Sequence, residues 1–154
     1  MLASFRFELS KQDLDKIKKC IFEINSKISI RLAPVDKLHI TAYSLRDKYN
    51  PRTHKKIIDK VLFTQISQEM LKFNKLIIIK KNIIVAQYVP SKMVIDYVNN
   101  IEKICIDNNI ITENKGREYN PHITIGKLKN ISDINNLNII FPDICISKVY
   151  FDVN

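Results

Sequence analysis

The sequence predicts an α+β chain built as two similar halves, and three observations predict it. Stretches of period-two hydrophobicity alternate with stretches of three- and four-residue periodicity in the order β, α, β, β, α, then β, β, α, β, α, β. The tripeptide His-Ile-Thr occurs twice, at His39-Ile40-Thr41 and His122-Ile123-Thr124, once in each half. No linker divides the halves: 154 residues with only two Gly and five Pro suit a single domain of two lobes spanning 1–154.

Phe5, Phe7 and Leu9 alternate with Arg6 and Glu8, which marks a half-buried first strand. Ser10 is a helix cap, and Leu14, Ile17, Ile21 and Ile24 form one apolar stripe on a helix over 11–25, with Asp13 near its positive end. A short strand over 28–32 follows. In 38–43, Leu38, Ile40 and Ala42 share one face of a strand, while His39, Thr41 and Tyr43 share the other. Pro51 suits the first turn of a second helical region reaching to about Phe73, with a possible break at 64–67.

The run 75–88 reads as a hairpin turning at Lys80-Lys81-Asn82. Pro90 and Ser91 open a third helix over 92–108, with Val94, Ile95, Val98, Ile101, Ile104 and Cys105 on one side. The polar stretch 112–120 is a loop. It leads into a strand where His122 and Thr124 face one way and Ile123 and Ile125 the other. A short helix over 132–137 and a strand over 144–153 finish the chain. Phe5, Phe7, Ile77, Ile79 and Ile84 are expected in the core, and Met70 and Met93 at helical positions as apolar gap-fillers.

Composition excludes several classes. Hydrophobic residues make up 45% and charged residues 27%, too apolar for a disordered chain. The longest apolar runs are four residues, Leu76 to Ile79 and Ile83 to Ala86, against the roughly 20 needed to span a membrane. The first residues lack the basic start and apolar stretch of a secretory signal, so a cytosolic location, or that of a host cytosol, is expected. Cys20, Cys105 and Cys145 are scattered through apolar periodic segments and are expected as reduced thiols. No closely spaced Cys/His pairs suggest zinc, and no cofactor is implied. The formal charge of +9 favours anionic partners, nucleic acid or nucleotides first. The 28 Ile, 20 Lys and 15 Asn are also what A/T-rich coding produces, so charge alone does not decide function.

The repeated tripeptide carries more. With three His in the chain, two followed by Ile-Thr would arise by chance on the order of once in 10,000. Two imidazoles, ordinarily titrating near 6.5, can divide one site between a base that deprotonates a hydroxyl or water and an acid that protonates the departing oxygen. A Thr two residues on lies beside each imidazole and can donate to the oxygens of a phosphodiester. A lone His-x-Thr would more often be a satisfied histidine inside a sheet, but the matched pair points to chemistry.

Two such motifs about eighty residues apart, the second written Tyr119-Asn120-Pro121-His122-Ile123-Thr124, resemble the two-histidine (2H) phosphoesterase superfamily. The resemblance extends from about Phe5 to Val153. It implies a bilobal, pseudo-symmetric α+β fold, with two antiparallel sheets lining a central cleft and helices outside. It also implies a metal-independent phosphodiesterase whose catalytic tetrad is His39, Thr41, His122 and Thr124. Two branches stay open. One comprises 2',5'-oligoadenylate phosphodiesterases, including the C-terminal domain of the rotavirus capping enzyme, which antagonise host oligoadenylate and RNase L signalling. The other comprises RNA 2',3'-cyclic phosphodiesterases, also called 2',5' RNA ligases. The short stretch that follows His122 and the Ile/Lys/Asn excess lean to the viral type. A monomer is expected, and on the viral-type reading the chain could be one domain of a larger protein.

Substrate contacts are expected from four further residues. Tyr43 could stack on a base, with ordinary strand packing as its alternative; Tyr119 and Arg117 could hold a base and a phosphate; Arg6 on the first strand could reach the same site. His54, among Arg52, Lys55 and Lys56, reads as surface. The rival from another class is a non-catalytic RNA- or nucleotide-binding module, which explains the charge but not the repeated His-Ile-Thr.

Overall fold

The computed structural model describes residues 2–153 and contains, in chain order, β1 (Ala3–Leu9), α1 (Lys11–Lys27), β2 (Ile30–Leu32), β3 (Ile40–Arg46), α2 (Pro51–Phe63), β4 (Glu69–Ile79), β5 (Ile83–Val89), α3 (Lys92–Asp107), β6 (His122–Leu128) and β7 (Ile144–Val153). Short 3-10 turns lie at Val35–Lys37 and Ile131–Asn136, the second where a short helix is expected. Ser10 caps α1 by accepting from the Asp13 N–H, Asn50 caps α2 ahead of Pro51, and Ser91 caps α3. Each supplies the side-chain oxygen that an open helix N-terminus requires.

All seven strands join in one sheet of order β2-β6-β5-β4-β7-β1-β3, and every pairing is antiparallel. The two expected sheets are the two halves of it, and β4 is the hinge. Its first residues, Glu69 to Leu71, pair with β7, whereas Lys72 to Ile79 pair with β5. Strand β3 at one edge comes within 8 Å (Cα–Cα) of β6, next to the other edge, although no strand pairing joins them. The sheet therefore bends round on itself and leaves a cleft between the two His-Ile-Thr segments.

The second helix is shorter than its sequence periodicity suggests. It ends at Phe63, and Glu69 to Phe73, spaced like a helix, belong to β4. Ladder pairing with β7 and a two-way amide bridge from Gln65 to the backbone of Val149 (3.0 and 2.8 Å) outweigh the local spacing. As a result Met70 lies exposed on a strand, and Met93 lies exposed on α3, so neither fills the core.

The core takes in Phe5 and Phe7 from β1, Ile17, Ile21 and Ile24 from α1, Val94, Val98, Ile101 and Cys105 from α3, and the inner faces of the strands. Ile84 is buried as expected, but Ile77 and Ile79 are only half-buried. Ile77 lies opposite Val85 on the other face of the sheet, the one that carries Thr124 and His122. Cys105 is buried and Cys20 and Cys145 half-buried, all three free. Among the described residues no helix is long and apolar enough to cross a membrane.

Candidate active site

Each motif enters its strand in the same way. His39 immediately precedes β3 and His122 opens β6. The Nδ1 of His39 lies 2.8 Å from the Lys37 carbonyl, and the Nδ1 of His122 lies 2.8 Å from the Asn120 carbonyl, two residues upstream in both cases. A carbonyl oxygen only accepts, so each Nδ1 carries the proton and donates it. That fixes the tautomer and leaves Nε2 of each ring as the nitrogen that can exchange a proton.

Both strands then carry a bulge directly after the threonine. On β3, Thr41 pairs with Arg6 and Tyr43 with Phe5, which leaves Ala42 extra; on β6, Thr124 pairs with Val85 and Gly126 with Ile84, which leaves Ile125 extra. Up to the bulge, His and Thr keep to one face. Beyond it the parity reverses, and apolar side chains on both sides of the bulge turn into the core. Tyr43 therefore does not continue the His39 and Thr41 face. It stands opposite Phe5, is only 4% exposed, and its hydroxyl hydrogen-bonds the Thr112 hydroxyl at 3.1 Å. Its ring is part of a wall and is not free to stack on a base.

Two recesses share Thr41, Ser44 and Arg46 and together make up the cleft. The larger, about 380 Å³, also takes in Tyr43, Asn114, Arg117, Tyr119 and His122; the smaller, about 180 Å³, takes in Ser4, Arg6 and His39. Thr124 lines neither; it is exposed on the same sheet face as His122. The outer wall is the loop between α3 and β6, strapped to β3 at several points. The Tyr119 hydroxyl donates to the Thr41 carbonyl (2.8 Å), the Asn114 amide reaches the Ser44 carbonyl (3.5 Å), and Glu113 ion-pairs Arg46. Burial pushes the Tyr119 phenol pKa up, so it remains a donor. Arg117 is exposed on the rim.

Arg6 is oriented by the Ser4 hydroxyl (Nε to Oγ, 3.0 Å) and by Asp152 (2.7 Å). The pKa of His39 is lowered below the usual imidazole value, chiefly by desolvation. The Lys37 carbonyl and Asp152 oppose that shift, whereas the Arg6 guanidinium adds to it. His39 lines the smaller recess and His122 the larger, on either side of the shared Thr41, Ser44 and Arg46.

Sequence reasoning missed the supports. Asn74 donates to Gln87 (2.9 Å) and Gln87 donates to the Asn120 side chain (2.9 Å), so a chain of amides holds the residue whose carbonyl orients His122. The signal was present: Gln87 is the one amide in the apolar run Ile83–Val89, and it lies opposite His122 across the ladder. His54 is half-buried and local in purpose, since its Nδ1 accepts the Asn50 N–H at 2.9 Å beside the α2 cap. Among the described residues, no three His, Cys, Asp or Glu side chains converge as a metal site would require.

The fold is that of known phosphoesterase structures. A structure described as a phosphoesterase matches with a TM-score of 0.69 at 14% identity, covering 97% of this chain and 86% of the other. Ligand-free LigT of Escherichia coli matches with a TM-score of 0.70 at 14% identity, covering 97% and 85%, and LigT has also been solved with phosphate, 3'-AMP and ATP. TT0787 of Thermus thermophilus matches with a TM-score of 0.65 at 10% identity, covering 98% and 84%. No protein-family model and no curated protein sequence matches the chain.

Proposed function

We propose that the protein is a metal-independent phosphodiesterase acting on a nucleotide 2'-phosphodiester, with His39 as general base and His122 as general acid. One observation carries this reading. Two histidines that line adjoining recesses each have Nδ1–H tied to the carbonyl two residues upstream, which leaves Nε2 of both rings available for proton transfer at a phosphate bound in the cleft. The depressed pKa of His39 keeps it unprotonated near neutral pH, the form a base needs.

His39 Nε2 takes the proton of the attacking hydroxyl, and His122 Nε2–H delivers a proton to the oxygen that leaves phosphorus. Thr41 and Thr124 donate to the non-bridging oxygens, and Arg6, beside Thr41, offsets the charge that builds there. With a 2',5' linkage the free 3'-hydroxyl is the neighbouring nucleophile, and its attack gives a 2',3'-cyclic phosphate and a 5'-hydroxyl. With a 2',3'-cyclic end the nucleophile is water, and the ring opens to a monoester.

The nucleotides bound to LigT, 3'-AMP and ATP, support a nucleotide or RNA substrate here. They give no support to a viral origin or to antagonism of host oligoadenylate signalling; 2',5'-oligoadenylate cleavage and opening of a cyclic RNA end are the two readings of one mechanism. The test is incubation, in EDTA, with matched 2',5'- and 3',5'-linked triadenylates and with a 2',3'-cyclic nucleotide, followed by chromatography. Cleavage of the 2',5' trimer or opening of the cyclic end is expected. Silence on all three from folded protein would favour the binding-module reading.

A further inference from the structure

Where β2 pairs with β6, Arg31 stands directly opposite Lys127. Residues 83, 85 and 87 of β5 share one face, and their partners on β6 are Lys127, Thr124 and His122. The bulge at Ile125 thus brings Lys127 onto the same face as the motif residues. Both Arg31 and Lys127 are exposed, and among the described residues neither is in an ion pair. The local sheet gives them no acid either: β2, β5, β6 and the part of β4 paired with β5 contain no Asp or Glu.

Two like charges directly opposite each other destabilise a sheet, and an anion held between them reverses that penalty. Because of the bulge, Lys127 stands two ladder positions from Thr124 and four from His122, roughly 7 Å and 13 Å along the strand. The spacing is too great for the phosphate that reacts between the histidines, and it suits another phosphate of the same strand. Arg31 adds a planar fork that matches two phosphate oxygens.

We infer that Arg31 and Lys127 form a second phosphate subsite, which grips a phosphate of an oligonucleotide one or two nucleotides away from the bond cleaved at His39 and His122. The inference rests on the phosphodiesterase reading, from which it takes the position of the reacting phosphate, and it assigns the substrate to oligonucleotides longer than a dimer.

The experiment uses oligoadenylates of one linkage, as a dimer and a fluorescent tetramer, with the native chain and the Arg31→Gln/Lys127→Gln double variant. Binding is read by anisotropy on a His122→Ala background, so that it does not depend on turnover. The double variant is expected to bind the tetramer about 10-fold more weakly, with the salt slope shallower by about one, while its affinity for the dimer changes less than about twofold. Equal losses for dimer and tetramer, or none for the tetramer, would overturn the subsite. Length-dependent binding through Arg31 and Lys127 by a protein that cleaves nothing would sustain the subsite and sink the catalytic reading. Normal turnover with length-independent binding would do the reverse.

Discussion

At the scale of single residues, the electrostatics around His39 give a test with a sign. Desolvation is the largest cause of its lowered pKa, and the Arg6 charge adds to it while Asp152 opposes it. A base works only when unprotonated, so the acid limb of kcat/KM should fall below the ordinary imidazole value of about 6.5. Removing the cation in Arg6→Gln raises the His39 pKa and moves that limb to higher pH. Asp152→Asn removes a charge that favours imidazolium and moves it to lower pH. Rate profiles of the two variants shifting in the same direction, or not at all, would contradict the assignment of His39 as base. Gln87 tests the other ring. In Gln87→Leu the amide chain from Asn74 to Asn120 is cut, and His122 loses its support. We expect kcat to fall by up to about 100-fold with KM little changed. A raised KM at constant kcat would make Gln87 a binding residue instead.

At the scale of elements, the motif strands were legible and their bulges were not. The alternation in 38–43 and 121–126 shows a polar front at His and Thr, because period two is a property of the sequence. The extra residues Ala42 and Ile125 are set by the partner strands, so the turning of Tyr43 into the core could not be read from its own segment. The boundary between α2 and β4 was hidden for the same reason. Ile66, Met70 and Leu71 have helical spacing, and only β7, at the far end of the chain, selects the strand. Met70 and Leu71, with Glu69, are the residues that weld the two half-sheets. The His122 strand also depends on close backbone contact. A Cβ on Gly126 would be driven into the Arg31 carbonyl and would lie 3.0 Å from the Leu32 Cα. Gly126→Ala should therefore destabilise the fold by about 1–3 kcal/mol, read as a lower denaturant midpoint. An unchanged midpoint would mean that β2 can move away freely.

At the scale of the whole molecule, the fold brings together two segments that the sequence places in opposite halves of the chain. A seven-stranded sheet, hinged at β4 and curled until β3 approaches β6, makes one cleft from two equivalent strand entries. The repeat of His-Ile-Thr announced this symmetry; the supports around each ring did not appear in it, since Lys37, Asn120 and Gln87 act through backbone position and cross-strand register. The central claim is that the two Nε2 atoms divide the proton transfers of one phosphodiester cleavage. Its most direct test is the turnover of a cleaved substrate, in EDTA, by His39→Ala and His122→Ala, each checked for a native denaturation curve. Each variant should lose about 10²- to 10⁴-fold in kcat while remaining folded. Near-normal turnover by either one would contradict the account.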